Sequence, residues 1–177
     1  MRRQARAPRG LIREKGVDGV GIDAIMSGAG LTHGGFYGHF VSKDDLVAEA
    51  VARALERAIE QQSNYANLSD LVAGYLSERH LADRAGGCAI AALGADLARQ
   101  GVGARRGLTA HVRAQLERFL RLLKNGPKAR RRRRAIATLA GMVGALTLAR
   151  AVDDPALSRE ILAAARDALG ETLSTSG

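Results

Sequence analysis

Residues 21–43 read GIDAIMSGAGLTHGGFYGHFVSK, and the spacing of apolar residues and glycines in this stretch decides the fold. Ile22, Ile25, Met26 and Ala29 recur at three-and-four spacing, one apolar stripe on a short helix that Gly30 ends. Leu31 and Thr32 make a tight turn. Thr32 can cap a second short helix, His33 to Phe40, on which Phe36 and Phe40 sit four apart on one face. The result is helix, tight turn, helix.

Upstream, Pro8 can serve as a first helical residue, so a short helix is expected from Pro8 to Lys15, burying Leu11 and Ile12 and stopping at Gly16. Downstream, Ser42-Lys43-Asp44-Asp45 fits the S-x-x-[DE] capping pattern and opens a long helix to about Gln62. Further helices are predicted at 68–81, 87–100, 103–124, 129–151 and 155–173, about nine in all. The clearest stripes are Leu108, Val112, Leu116, Phe119, Leu120 and Leu123, then Ile136, Leu139, Ala140, Val143 and Leu146. Asp154 followed by Pro155 is a capped start for the last helix.

The dense run Ala29, Gly30, Leu31, Phe36, Tyr37, His39, Phe40, Ser42, Lys43 and Leu46 resembles the helix-turn-helix of TetR-family transcriptional regulators. The likeness is good over residues 11–60. Beyond them, the helical layout and the segment GGCAIAALGADLA are similar to the family. This resemblance implies an all-α fold: a three-helix DNA-binding domain at 1–45, followed at 46–177 by a helical ligand-binding and dimerisation domain. It implies a homodimer that binds double-stranded operator DNA, most simply as a repressor released from a pseudo-palindrome by a small-molecule effector.

The chemistry of the segment fits that role. Thr32, His33, Gly34 and Gly35 form the first turn of the second helix, where two glycines remove side-chain bulk and expose backbone N–H groups at about 1 kcal/mol each of helix propensity. Close approach to base edges would account for that cost; a loose turn is the plainer reading. Tyr37 and His39 can donate hydrogen bonds to phosphate, and Lys43 lies at a helix start whose N–H groups already favour an anion. By resemblance these three clamp the DNA backbone. Their structural readings are a half-buried core tyrosine, a packing histidine and a solvated lysine. Phe36 and Phe40 read as core.

Two departures from the family pattern stand out. Gly21 occupies the place where many members have Ser or Thr to cap the helix and touch phosphate, so that contact should be missing. Pro8 and Gly10 shorten the first helix, which leaves Arg2, Arg3 and Arg6 as a solvated tail or a minor-groove arm.

Composition bounds the alternatives. The 177 residues are 46% hydrophobic but only 3% aromatic, which favours helix over strand. No run of eighteen uncharged apolar residues occurs and no signal-peptide pattern opens the chain, so a cytoplasmic protein without a membrane partner is expected. The net charge of +9 does not locate a DNA site: residues 1–50 hold seven Lys or Arg against six Asp or Glu, whereas Arg121, Lys124, Lys128 and Arg130 to Arg134 lie far downstream. That downstream run reads as a solvated helix start or as a second surface for an anionic partner.

In the body, the small residues Gly141, Gly144 and Ala145 permit close helix approach, either within the chain or across a dimer interface. Cys88 and His111 are the polarisable groups placed near a cavity, Cys88 as a small buried hydrophobe or as a redox sensor. An enzyme is disfavoured. His33, His39, His80 and His111 are scattered, no nucleophile elbow or phosphate loop is present, and no catalytic, cofactor or metal residue is assigned. A helical nucleic-acid packaging protein built on the arginine run is the remaining alternative; it would bind DNA without sequence preference.

Overall fold

A computed structural model of the chain describes Gly16 and residues 65–174. Six helices occupy the described residues, with no strand among them: α1 Leu68–Tyr75, α2 Glu78–Ala82, α3 Ala89–Arg99, α4 Val102–Leu122, α5 Lys128–Ala151 and α6 Pro155–Ser174. The four helices expected between Pro8 and Gln62 lie outside the described residues. At Gly16 the backbone φ is +77°, a left-handed conformation that glycine adopts without a Cβ penalty. A Cβ there would lie 2.7 Å from Asp96 Oδ2.

Two compact units divide the chain, one of Met1–Ala58 with Arg84–His111, the other of Ile59–Asp83 with Val112–Gly177. In the first, α3 buries Ala89, Leu93 and Leu97, a row at i, i+4 and i+8 along one face. Cys88 is its N-cap residue, half-buried and outside any disulfide, and makes no side-chain capping bond.

The second unit is built on an antiparallel hairpin of α5 and α6. At one end, Arg134 Nη2 donates to the carbonyls of Thr172 and Leu173 at 2.8 and 3.1 Å; at the other, the buried Ser158 hydroxyl donates to Ala149 O at 2.7 Å. Between them the helices approach closely at Gly141, where a Cβ would stand 3.2 Å from the Leu169 side chain. The turn before α6 forms as its sequence dictates. Asp154 Oδ1 accepts from the backbone N–H groups of Ala156 and Leu157 at 2.7 and 3.2 Å, and Pro155 contributes its fixed φ at a position where no donor is needed.

α1 packs on α6 and buries Leu68, Leu71, Val72 and Tyr75. Its N-cap is Asn67, whose side chain accepts from Asp70 N at 2.8 Å. The single helix expected over 68–81 is two helices. Ser77 breaks it: its hydroxyl donates to Gly74 O at 2.8 Å and accepts from His80 N at 3.3 Å, closing α1 and capping α2 with one side chain. α2 then docks on α5 through Arg150, whose guanidinium donates to the carbonyls of His80, Leu81 and Asp83 at 2.6, 3.3 and 3.0 Å.

α5 carries two apolar faces. The one buried within the unit is Ala135, Thr138, Met142, Ala145, Leu146 and Ala149. Of the stripe expected from sequence, Leu146 lies on that buried face, whereas Ile136 is 46% exposed and Ala140 is exposed. Small residues are the physical reason: Ala135, Ala145 and Ala149 let neighbouring helices come close, a surface that a count of large apolar side chains overlooks.

Candidate functional site

All seven residues assigned to DNA by sequence, Thr32, His33, Gly34, Gly35, Tyr37, His39 and Lys43, lie outside the described residues. Apart from Gly16, the described residues run from 65 to 174, and their notable features are buried polar groups, an exposed apolar row and a basic end.

His111 is 6% exposed, and its Nδ1 has no hydrogen-bond partner. Burial pushes its imidazole below the ordinary histidine pKa, favouring the neutral ring. In the other unit, Gln115 and Thr138 are 3% and 1% exposed, with Gln115 Oε1 and Thr138 Oγ1 likewise unpartnered. Buried polar atoms in folded proteins are nearly always satisfied, so groups of this kind are where a polar ligand or an internal water gains most from binding. His111 was placed near a cavity by sequence. Gln115 and Thr138 were not, since a single glutamine or threonine on a helix carries no signal of its burial.

His80 is different in kind. Its Nδ1–H donates to Tyr75 O at 2.7 Å, which fixes the tautomer because a carbonyl only accepts, and its ring meets the Tyr75 ring edge-on at 4.5 Å. Burial, the largest influence, lowers its pKa, and the Arg150 charge adds to that, while the Tyr75 carbonyl and Asp83 oppose it. These contacts hold α2 in place. Among the described residues no group of three or more His, Cys, Asp or Glu is arranged to hold a metal ion.

α5 exposes Ile136, Ala140 and Leu148 along a row spaced by four, with Leu148 at 59%. Gly144 completes the row, with open space where a Cβ would stand. By length and composition α5 is also apolar enough to cross a membrane, and about a third of that stretch is buried in the chain.

Comparison with known proteins bears on the described helices and on the segment that precedes them. Residues 6–50 match the family model described as bacterial regulatory proteins, tetR family. Escherichia coli NemR in its reduced form superposes with a TM-score of 0.77 at 18% identity, over 96% of this chain and 95% of that one. A transcriptional regulator from Rhodococcus sp. Rha1 gives 0.75 at 21% identity, over 97% and 94%. A TetR-family regulator from Agrobacterium tumefaciens gives 0.73 at 20% identity, over 93% and 94%. No curated protein matches in sequence. Residues 6–50 thus carry the N-terminal segment that this family model describes, and the chain shares the all-helical fold of these solved regulators.

Proposed function

We propose that this chain is a cytoplasmic, ligand-responsive repressor without enzymatic activity, a homodimer that binds a pseudo-palindromic operator and leaves it when a small molecule binds the body. The observation that carries the reading is the match of residues 6–50 to the regulator family, which spans every residue assigned to DNA. Residues 1–45 form the DNA-binding domain and residues 46–177 the sensing and dimerisation domain. Thr32, His33, Gly34 and Gly35 approach base edges, while Tyr37, His39 and Lys43 brace phosphates and set the register.

The exposed row Ile136, Ala140, Gly144 and Leu148 supports the dimer, since small and apolar side chains at four-residue spacing suit close helix packing against a second copy. The unpartnered atoms of Gln115 and Thr138, both in the second unit, support a polar effector. Release requires only that the effector bind better to a conformation whose recognition helices no longer match half-sites about 34–36 Å apart. Footprinting on the DNA upstream of the protein's own gene tests the reading. Two protected half-sites about one helical turn apart, lost in Tyr37→Ala, are expected; uniform protection by wild type and variant alike would overturn it.

A further inference from the structure

Between Val112 and Arg134 the chain carries ten Lys or Arg and a single acid, Glu117. The turn between α4 and α5 brings the charges from Arg121 to Arg134 to one end of the second unit. Arg131 Nη1 donates to Leu123 O at 2.9 Å, tying the start of α5 to the end of α4, and Arg132 lies 3.8 Å from Glu117 across the two helices. Gly126, at φ +94°, turns the chain between them.

The five consecutive arginines divide by role. Arg131 and Arg134 hold backbone carbonyls, of Leu123 and of Thr172 and Leu173, so they are part of the fold. Arg130 and Arg133 are exposed, and no ion pair joins either to an acid among the described residues; Arg132 has only its long, exposed contact with Glu117. Arg121, Lys124 and Lys128, all exposed, extend the cationic band along both helices. The cluster opposes itself. Burial and then the Arg121 charge push the Arg118 guanidinium below its ordinary range. No acid occupies the first turn of α5, and no side chain caps it. Like charges repel, and cations at a helix start meet the positive end of its dipole, so the arrangement gains most from an external anion.

We propose that this end of the body is a second, sequence-independent nucleic-acid surface, contacting the phosphate backbone of duplex DNA apart from the helix-turn-helix. A band of cations spread over two helices fits a line of regularly spaced phosphates better than one small anion, which needs convergent donors. Guanidinium groups match phosphate oxygens in pairs. The surface adds non-specific affinity and allows the body to hold a segment of DNA other than the one the head reads.

The experiment measures anisotropy of a short random-sequence duplex against salt. It compares full-length wild type, Arg130→Ala/Arg132→Ala/Arg133→Ala, the head variant Tyr37→Ala/Lys43→Ala, and their combination. Since the three arginines make no backbone hydrogen bond among the described residues, the triple variant should keep its thermal midpoint. Each lost phosphate contact lowers the slope of log K against log salt by about 0.9, so the triple variant should lose about 2 to 3 from the slope and bind at least roughly tenfold more weakly at low salt. The head variant should retain the patch-dependent part of the slope. Equal slope and affinity for wild type and triple variant would overturn the proposal. So would arginine-dependent binding confined to phosphatidylserine vesicles or polyglutamate. Patch-dependent binding by a wild type that recognises no operator would support the surface while overturning the proposed repressor; intact operator recognition with no change in slope would do the reverse.

Discussion

Arg150 concentrates three charge-assisted bonds on the carbonyls of His80, Leu81 and Asp83 at the end of α2. Such bonds contribute about 1.5–3 kcal/mol each where removal strands the partner, and less where water replaces it. Arg150→Ala is expected to destabilise the protein by about 2–3 kcal/mol in urea denaturation, and Arg150→Lys to recover less than half, because an ammonium cannot span three acceptors. His80 and His111 both have lowered pKa values from burial, so the folded state prefers them neutral. The unfolded chain then binds more protons than the folded one as pH falls through the ordinary histidine range near 6.5. Stability is therefore full above that range and declines below it. Thermal unfolding at pH 7.5 and 5.5 should show a lower midpoint at the acid value, with the gap narrowed in His80→Asn/His111→Phe; an equal gap in the variant would remove these two histidines as its cause.

The helices themselves show what a sequence reveals and what it hides. Asp154-Pro155 was legible because an N-cap acceptor followed by proline has one favourable use, and the bonds to Ala156 and Leu157 are that use. Asp154→Ala should cost about 1 kcal/mol, measured by chemical denaturation. The break at Ser77 was hidden, since a serine within an apolar repeat is compatible with an unbroken helix until its hydroxyl is seen to turn back on Gly74 O. α5 misleads for another reason. Its large apolar residues mark one face and its alanines another, so periodicity detects a helix without choosing which face the chain itself covers. The seven candidate DNA-contacting residues rest on a resemblance carried by ten residues at fixed spacing and lie outside the described residues; the unpartnered atoms of Gln115 and Thr138 depend on what surrounds each side chain, which local sequence does not encode.

For the molecule as a whole, the two proposals assign one helix two outward tasks, association with a second copy through the apolar row on α5 and contact with phosphate through the cationic band at its start. Ile136→Glu/Leu148→Glu places charges on the row without touching the buried face. Sedimentation should show wild type as a dimer and this variant as a folded monomer, with operator affinity reduced at least roughly a hundredfold because one half-site alone is engaged; a variant that stays dimeric would move the interface elsewhere. The most direct measurement of the central claim is the ratio of affinities for the footprinted operator and for a scrambled duplex of equal length and composition, taken at one fixed salt concentration. Wild type should favour the operator by about a thousandfold or more, and Tyr37→Ala should bring the ratio close to unity. A wild-type ratio near unity would contradict the regulator reading.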